Sequence, residues 1–193
     1  WLTPRIREFV DLYPDIEVTL ITSDEELDIS MREADCAIRL TRPTQPDLIQ
    51  RRLTRVNTHV FASSEYIQQH GMPERITDLD NHKLIVYNQD TVLPAPNLNW
   101  LLNATRSHIG KEPRKILILN NLYAMVRSVE AGIGVAGLPD FYARESTSLV
   151  RILPELEGPG NDAYFVYPEE LRASQRIGVF RDFIVSKVSE TRF

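Results

Sequence analysis

The chain has one cysteine, no long apolar run and no excess of basic residues, and each shortage excludes a class of protein. Its single cysteine, Cys36, excludes an internal disulfide and a metal site built from several cysteines, which favours a reducing compartment. The longest apolar runs, such as Leu84-Ile85-Val86, are far shorter than the ~20 residues of a membrane span, and no signal-like segment opens the chain. We therefore expect a soluble cytoplasmic protein with no membrane partner, although one cysteine also fits the periplasm.

The balance of charge argues against nucleic-acid binding by this chain. Lys and Arg total 22 against 27 Asp and Glu, which gives a net charge of −5. Binding to DNA requires a basic face that neutralises phosphates, so any DNA contact must come from another segment. The other proportions, 42% apolar and 25% charged residues, are those of a globular protein long enough for one large domain or two small lobes.

The sequence lacks the common motifs of catalysis and cofactor binding. Its four histidines form no i, i+4 pair and no H-E-x-x-H pattern, so no metal site is expected. No serine lies in a G-x-S-x-G elbow, no G-x-x-x-x-G-K loop is present, and Gly132-Ile133-Gly134 lacks the third glycine of a dinucleotide fingerprint. These absences predict no catalytic residue and no cofactor. We interpret Cys36 as a small core residue, with redox sensing or catalysis as the alternatives.

Helical and strand patterns alternate along the chain, which is typical of an α/β protein. Ser63 or Ser64 and Asn120 or Asn121 are candidate N-caps. Helices are predicted at residues 2–13, 24–31, 64–70, 121–131, 139 onward and 177–188. Strands are predicted at residues 16–22, 36–38, 48–53, 56–62, 83–87, 116–119, 135–138, 149–153 and 163–167, with a loop at residues 88–99. The spacing leaves open whether these strands form one sheet or two.

The order of several short motifs resembles the effector-binding domain of LysR-type transcriptional regulators over nearly the whole chain. Each motif is common in unrelated proteins, but their shared order is specific. The motifs are Leu2-Thr3-Pro4, Phe9, Tyr13-Pro14-Asp15-Ile16, Ala34-Asp35-Cys36-Ala37-Ile38-Arg39, Pro46-Asp47-Leu48, Ala62-Ser63-Ser64-Glu65-Tyr66, His70-Gly71-Met72-Pro73, Asp78-Leu79 to His82, Trp100 where a tryptophan is common in the family, Asn120-Asn121, residues 131–139, residues 164–168 and Phe180-Arg181-Asp182-Phe183. The chain departs from the family pattern at Thr41, where glycine is usual, and at Ser64, where proline is usual.

The resemblance implies a type 2 periplasmic-binding-protein-like fold, in which two α/β lobes with separate sheets are joined by two crossover strands. Lobe I would comprise residues 1–57 and 166–193, and lobe II residues 58–165. The crossover strands would be residues 55–62 and 162–167. By the same comparison, the first strand of lobe I and the N-terminal winged helix-turn-helix are expected to be missing from this chain.

Candidate ligand-binding residues follow from the positions of the strand ends. Ligands of open α/β sheets bind beyond the carboxyl ends of strands, where hydroxyls and helix-start amides are exposed. The loops after three strands satisfy this rule, and they contain Thr22, Ser23, Arg39, Thr41, Asn120 and Asn121. The alternatives are helix capping for Ser23 and Asn121, and a surface ion pair with Asp35 for Arg39.

The resemblance adds four further candidates. It implies that residues 134–139 form the floor of the cleft, where Gly137 would let a ligand or another backbone approach closely and Pro139 would line the site. Leu2 and Thr3, at the start of the first helix, would touch the ligand. For the glycines of residues 134–139, the alternative is that they only permit tight packing.

The function implied by the resemblance is that of a small-molecule-sensing and dimerisation domain. An organic effector, such as a carboxylate, would bind in the cleft between the lobes, and DNA would be bound only by the helix-turn-helix outside this chain. Homodimers or homotetramers are implied, with the first helix and its neighbouring strand on one protomer meeting the partner's helix that starts at residue 121. The alternatives are a periplasmic solute-binding protein of an uptake system and an enzyme of the same architecture.

Overall fold

The structure is a computed structural model, and it describes residues 1–23, 29, 33–88 and 95–191. The chain divides into two compact units. Unit 1 consists of Trp1–Arg55 and Asn161–Phe193, and unit 2 of Val56–Gly160. The chain therefore enters unit 2 at Val56 and leaves it after Gly160. The family resemblance implied that the corresponding lobe begins at residue 58 and ends at residue 165.

Helices and strands alternate through the described residues as an α/β protein requires. In chain order the elements are α1 (Thr3–Leu12), β1 (Ala37–Arg39), β2 (Leu48–Val56), β3 (Thr58–Ser63), α2 (Ser64–His70), β4 (Leu84–Tyr87), α3 (Trp100–Ile109), β5 (Lys115–Leu119), α4 (Leu122–Glu130), β6 (Ala136–Pro139), α5 (Asp140–Glu145), β7 (Leu149–Glu157), β8 (Asn161–Pro168) and α6 (Gln175–Glu190). Short 3₁₀ helices lie at Ile76–Asn81 and Glu169–Leu171.

Unit 1 is built on a three-stranded sheet in the order β1–β8–β2. Strand β1 runs antiparallel to β8, with Ala37 opposite Val166. Helices α1 and α6 pack together through an apolar core, in which the buried ring of Phe9 lies 5.0 Å from the ring of Phe180 and 5.2 Å from that of Phe183. Because β8 lies between β1 and β2, this sheet combines strands from the N-terminal and the C-terminal segments of unit 1.

The strand predicted at residues 16–22 is not formed, which corrects the sequence prediction. These residues follow a turn at Pro14 and Asp15 and form no strand. Their alternating apolar pattern is present, but a strand also needs a neighbouring strand to bond to, and no strand among the described residues pairs with this segment. The helix predicted at residues 24–31 falls outside the described residues except for Ile29.

Unit 2 contains a mixed sheet with an apolar core on each face. Strand β3 lies between β6 and β7, antiparallel to both, and all six of its residues are buried. Strands β4 and β5 are parallel neighbours, and a parallel bridge between Leu84 and Val135 joins β4 to the residue before β6. The three-stranded sheet β6–β3–β7 and the pair β4–β5 are thus joined only by this bridge, which gives the order β5–β4–β6–β3–β7, with α2 and α3 over one face and α4 over the other.

Local capping signals confirm two of the predicted helix starts. Ser63 Oγ accepts a hydrogen bond from Tyr66 N at 3.1 Å at the start of α2. Asn121 Oδ1 accepts one from Ala124 N at 2.9 Å at the start of α4. Each cap satisfies a backbone N–H that has no partner within the helix. The open choices between neighbouring residues are thereby resolved in favour of Ser63 and Asn121.

Helix α3 is missing from the sequence prediction. Its apolar residues Trp100, Leu101 and Leu102 are consecutive rather than spaced by three or four, and the side chain of the preceding Asn99 does not cap the helix. The start of the helix therefore has no clear sequence signal, although Gly110 marks its end. The helix forms because these three side chains are buried in the core of unit 2, and most helical stability comes from such packing.

Candidate functional site

One edge of the unit 2 sheet collects the ends of three strands. Since β4, β5 and β6 run in the same direction, their last residues, Tyr87, Leu119 and Pro139, lie at the same edge. We call this edge the carboxyl edge of unit 2. Ligands of α/β proteins bind at such edges, because loop amides and helix starts are presented there.

Asparagines gather at the carboxyl edge of unit 2. Asn88 N donates to the carbonyl of Leu119 at 2.6 Å, and the Tyr87 hydroxyl donates to the carbonyl of Asn120 at 2.7 Å. These bonds tie β4 to the chain that follows β5. Asn120 and Asn121 are both exposed, and Asn121 also caps α4. The structure thus brings two of the predicted site residues to one strand edge.

The side chain of Asn99 takes the place of a neighbouring strand beside Tyr87, the last residue of β4. Its Oδ1 accepts from Tyr87 N at 2.9 Å and its Nδ2 donates to Tyr87 O at 2.8 Å, which are the bonds that a neighbouring strand would make. Asn99 is buried, so its amide satisfies backbone groups that would otherwise be costly to bury. The sequence prediction of a loop at residues 88–99 did not reveal this role, although the abundance of asparagine was a signal.

The indole of Trp100 lies directly over Gly137. A Cβ at position 137 would be 2.6 Å from Trp100 Nε1 and 2.8 Å from Cε2, and a Cβ at Gly158 would be 2.6 Å and 2.4 Å from the same atoms. No side chain fits at either position unless the ring moves. The close approach predicted at Gly137 is therefore present, but the approaching group is a side chain of the same unit rather than a ligand or a backbone.

Pro139, another predicted site residue, connects β6 to α5. It is buried and precedes the helix, and the next residue, Asp140, pairs with Nδ1 of the buried His59 on β3. Asp140 N also donates to the carbonyl of Asn57 at 3.0 Å. Glu157 Oε1 lies 3.6 Å from the other ring nitrogen of His59. These contacts fix α5 against β3 close to the residue at which the chain enters unit 2.

The other predicted site residues belong to unit 1, and two of them lie at the start of α1. The carbonyl of Leu2 accepts hydrogen bonds from Arg5 N at 2.8 Å and Ile6 N at 3.2 Å, and the Leu2 side chain packs against the apolar core of unit 1. Thr3 is the first residue of α1 and is exposed. Leu2 thus has a packing role that does not depend on a ligand.

Four more predicted residues belong to unit 1, three in loops and Arg39 at the end of β1. Thr22 and Ser23 are exposed, and Thr41 is half-buried. Arg39 ends β1 opposite Tyr164 and is only 8% exposed, so its side chain is buried rather than on the surface. Ligand contact by these residues stays a prediction, as it does for those in unit 2.

The surroundings of Cys36 bear on its chemistry. Burial, followed by the negative charge of Asp35, raises the pKa of the Cys36 thiol to about 12. The thiolate, which is the reactive form, is therefore scarce at neutral pH. Within the described ranges, no group of three or more His, Cys, Asp and Glu side chains could hold a metal ion, and no helix combines the length and apolar character needed to span a bilayer.

Comparison with known proteins identifies the family. Residues 1–189 match the family described as the LysR substrate binding domain. The chain belongs to this family. An HTH-type transcriptional regulator of Xanthomonas campestris pv. campestris is 27% identical over 193 residues, which cover 98% of this chain and 56% of the relative. The chain spans between about half and two thirds of the length of the curated relatives it matches.

Solved structures of LysR-type regulators share the fold of this chain. The regulatory domain of CrgA, a LysR-type transcriptional regulator from Neisseria meningitidis, has a TM-score of 0.78 at 23% identity, covering 97% of this chain and 91% of that one. The effector domain of the regulator AmpR of Pseudomonas aeruginosa has a TM-score of 0.73 at 20% identity, covering 98% and 89%. The predicted family and the two-lobed periplasmic-binding-protein-like fold are confirmed. The relatives are transcription regulators, which favours regulation over the uptake alternative.

Proposed function

We propose that this LysR domain binds a small organic effector and thereby controls DNA binding by a larger regulator. The observation that carries the proposal is the carboxyl edge of unit 2, where the exposed Asn120 and Asn121 lie at strand ends. Amide N–H groups at strand ends and helix starts are suited to binding an anion. The expected effector is therefore a small carboxylate, and no cofactor or metal is required.

The loops of unit 1 supply further proposed contacts. Thr22, Ser23 and Thr41 carry hydroxyls, and Arg39 carries a guanidinium, the usual partner of a carboxylate. The relatives are named as helix-turn-helix regulators, so we propose that DNA is bound by such a domain outside this chain. An effector can shift this regulator only by as much as its affinity differs between two arrangements of the protein.

We also propose that the chain catalyses no reaction. The family is regulatory. The single cysteine of this chain, Cys36, has a thiol pKa of about 12, which is far above that of a catalytic nucleophile. The proposal is supported further by the absence of motifs for nucleophilic and phosphoryl-transfer chemistry in the sequence.

Isothermal titration of the chain with a panel of small carboxylates tests effector binding. We expect one member to bind and Asn120→Ala to weaken its binding by about 3- to 10-fold, which corresponds to one hydrogen bond. Asn103→Ala, which changes an exposed asparagine in the second turn of α3, is the matched control and should leave binding unchanged. A panel in which no carboxylate binds the wild-type chain contradicts the proposal.

Exposed apolar side chains support a homodimer, or a homotetramer of the intact regulator. Leu12 on α1 and Ile21 after it are 59% and 53% exposed, while Ile118 on β5 and Tyr123 on α4 are 55% and 60% exposed. Exposed apolar groups that cluster on a surface mark protein interfaces. These are the two surfaces that the resemblance predicts to meet, α1 of one protomer against the partner's α4.

Sedimentation velocity on single variants tests this interface. We expect the wild-type chain to sediment as a dimer and Tyr123→Glu to sediment as a monomer, because a buried unpaired carboxylate is strongly unfavourable in an interface. Met72→Glu is the matched control, since Met72 is 50% exposed but follows α2. A dimer that survives both Tyr123→Glu and Leu12→Glu places the interface elsewhere.

A further inference from the structure

The space over Gly137, where the family resemblance implies a ligand contact, is occupied by the side chain of Trp100. Gly137 lies two residues before the end of β6, at the carboxyl edge of unit 2. A Cβ at this position would lie between 2.6 and 3.1 Å from three atoms of the Trp100 indole. The ring therefore fills the volume that a glycine near a strand end would otherwise offer to an effector.

Packing alone does not explain why residue 100 is a tryptophan. The side chain belongs to a core cluster of unit 2 and is 9% exposed. Its Nε1–H, however, is buried and has no hydrogen-bond acceptor among the described residues. An unmade hydrogen bond on a buried N–H is unfavourable, and a phenylalanine would fill much of the same space without that donor.

The N–H side of the ring faces polar groups at the sheet edge. Thr58 lies opposite Pro139, and its hydroxyl donates to the carbonyl of Pro159 at 3.1 Å. A Cβ on Gly158 would lie 2.2 Å from Thr58 Oγ1 and 2.6 Å from Trp100 Nε1, so the hydroxyl and the indole N–H flank the same point. Trp100 thus lies between the apolar core and the polar carboxyl edge.

We propose that Trp100 is a specificity-determining residue of the effector site. Its ring closes the volume over Gly137, so the wild-type protein excludes effectors that would place a fused aromatic ring there. A small residue at position 100 opens this volume to aromatic carboxylates of the size of indole. The inference rests on the proposed function, because it assumes that the effector binds at the carboxyl edge of unit 2.

Binding of indole and of indole-3-carboxylate to Trp100→Ala tests the inference. Neither compound is expected to bind the wild-type chain, and both are expected to bind the variant and to raise its Tm by about 3–6 °C at about ten times Kd. The carboxylate is the informative probe. A cavity that is closed within the core takes indole but excludes a charged group, whereas a cavity that opens at the polar edge takes both.

Leu102→Ala is the matched control. Leu102 lies on the same helix and in the same core cluster and is 2% exposed, so its cavity should not take the carboxylate. Trp100→Leu removes less volume and serves if Trp100→Ala does not fold. Gly137→Ala should lower the Tm of the wild-type chain but have much less effect in the Trp100→Leu background, where the clash with the ring is absent.

Three outcomes overturn the inference. If the Trp100 variants fold and take indole but exclude indole-3-carboxylate, Trp100 is a core residue only. If they take neither compound, or if the wild-type chain takes the carboxylate, the ring does not limit the site. The proposed function is tested with the wild-type chain and its own panel of carboxylates, so the two proposals can fail separately.

Discussion

Replacing Asn99 with alanine tests whether this side chain completes the end of β4. The substitution removes the acceptor that Tyr87 N has at 2.9 Å and the donor that Tyr87 O has at 2.8 Å, at a place where Asn99 is 7% exposed and Tyr87 is 1% exposed. Each buried polar group that loses its partner costs about 1–3 kcal/mol, and the space left by alanine can admit water to one of them. We therefore expect the free energy of unfolding of unit 2 to fall by about 2–4 kcal/mol.

Urea unfolding measures this loss, and hydrogen exchange at the Tyr87 amide locates it. Asn103→Ala, an exposed change in the same helix, is the control and should stay within about 0.5 kcal/mol of the wild-type value. Asn99→Asp keeps the acceptor but places a buried carboxylate oxygen against the carbonyl oxygen of Tyr87, so it should be at least as damaging as alanine. The reasoning is refuted if Asn99→Ala and Asn103→Ala are equally mild and the Tyr87 amide exchanges at the wild-type rate.

Cys36, Asn121 and Tyr66 provide further tests. With its thiol pKa raised to about 12, Cys36 should react with iodoacetamide at pH 8 about 10³-fold more slowly than free cysteine, measured by mass spectrometry, and a rate within about tenfold of free cysteine contradicts its burial. Asn121→Ala removes the α4 cap and should lower the free energy of unfolding by about 1 kcal/mol, with a smaller loss for Asn120→Ala. Burial raises the pKa of Tyr66, so its hydroxyl stabilises the fold below about pH 10 and this contribution is lost as pH rises through the raised pKa. The difference in unfolding free energy between wild type and Tyr66→Phe should therefore shrink above about pH 10, and a difference that does not change with pH argues against this.

Elements with local signals could be predicted from the sequence. The caps Ser63 and Asn121 bond to amides only three residues away, so a short stretch of sequence contains the whole interaction. The strand expected at residues 16–22 shows the limit of this approach, because its alternation is local but its hydrogen-bonding partner is not. Helix α3 shows the reverse case, since its start has no side-chain cap and its position depends on burial of Trp100 and its neighbours in the core; only its end, at Gly110, has a local signal.

The candidate site was predictable to the same extent. Asn120 and Asn121 follow β5, and the end of that strand can be read from its apolar pattern, whereas Pro139, at the end of β6, was implied by the family resemblance. The contact of Trp100 with Gly137 joins residues far apart in the chain, and no spacing rule connects them. The glycine indicated that something approaches closely, but only the packing of α3 over the sheet shows that the approaching group is an indole.

The position of β8 determines the order in which this protein can fold on the ribosome. Unit 2 is one uninterrupted stretch, Val56–Gly160, and all of it is synthesised before β8 (Asn161–Pro168) begins to appear. Strand β8 is the middle strand of the unit 1 sheet, so β1 and β2 have no central strand to pair with until then. Unit 2 should therefore fold during translation. The N-terminal segment of unit 1 cannot complete its sheet until β8 has been synthesised, and until then the residues of β1 and β2 have unpaired backbone groups.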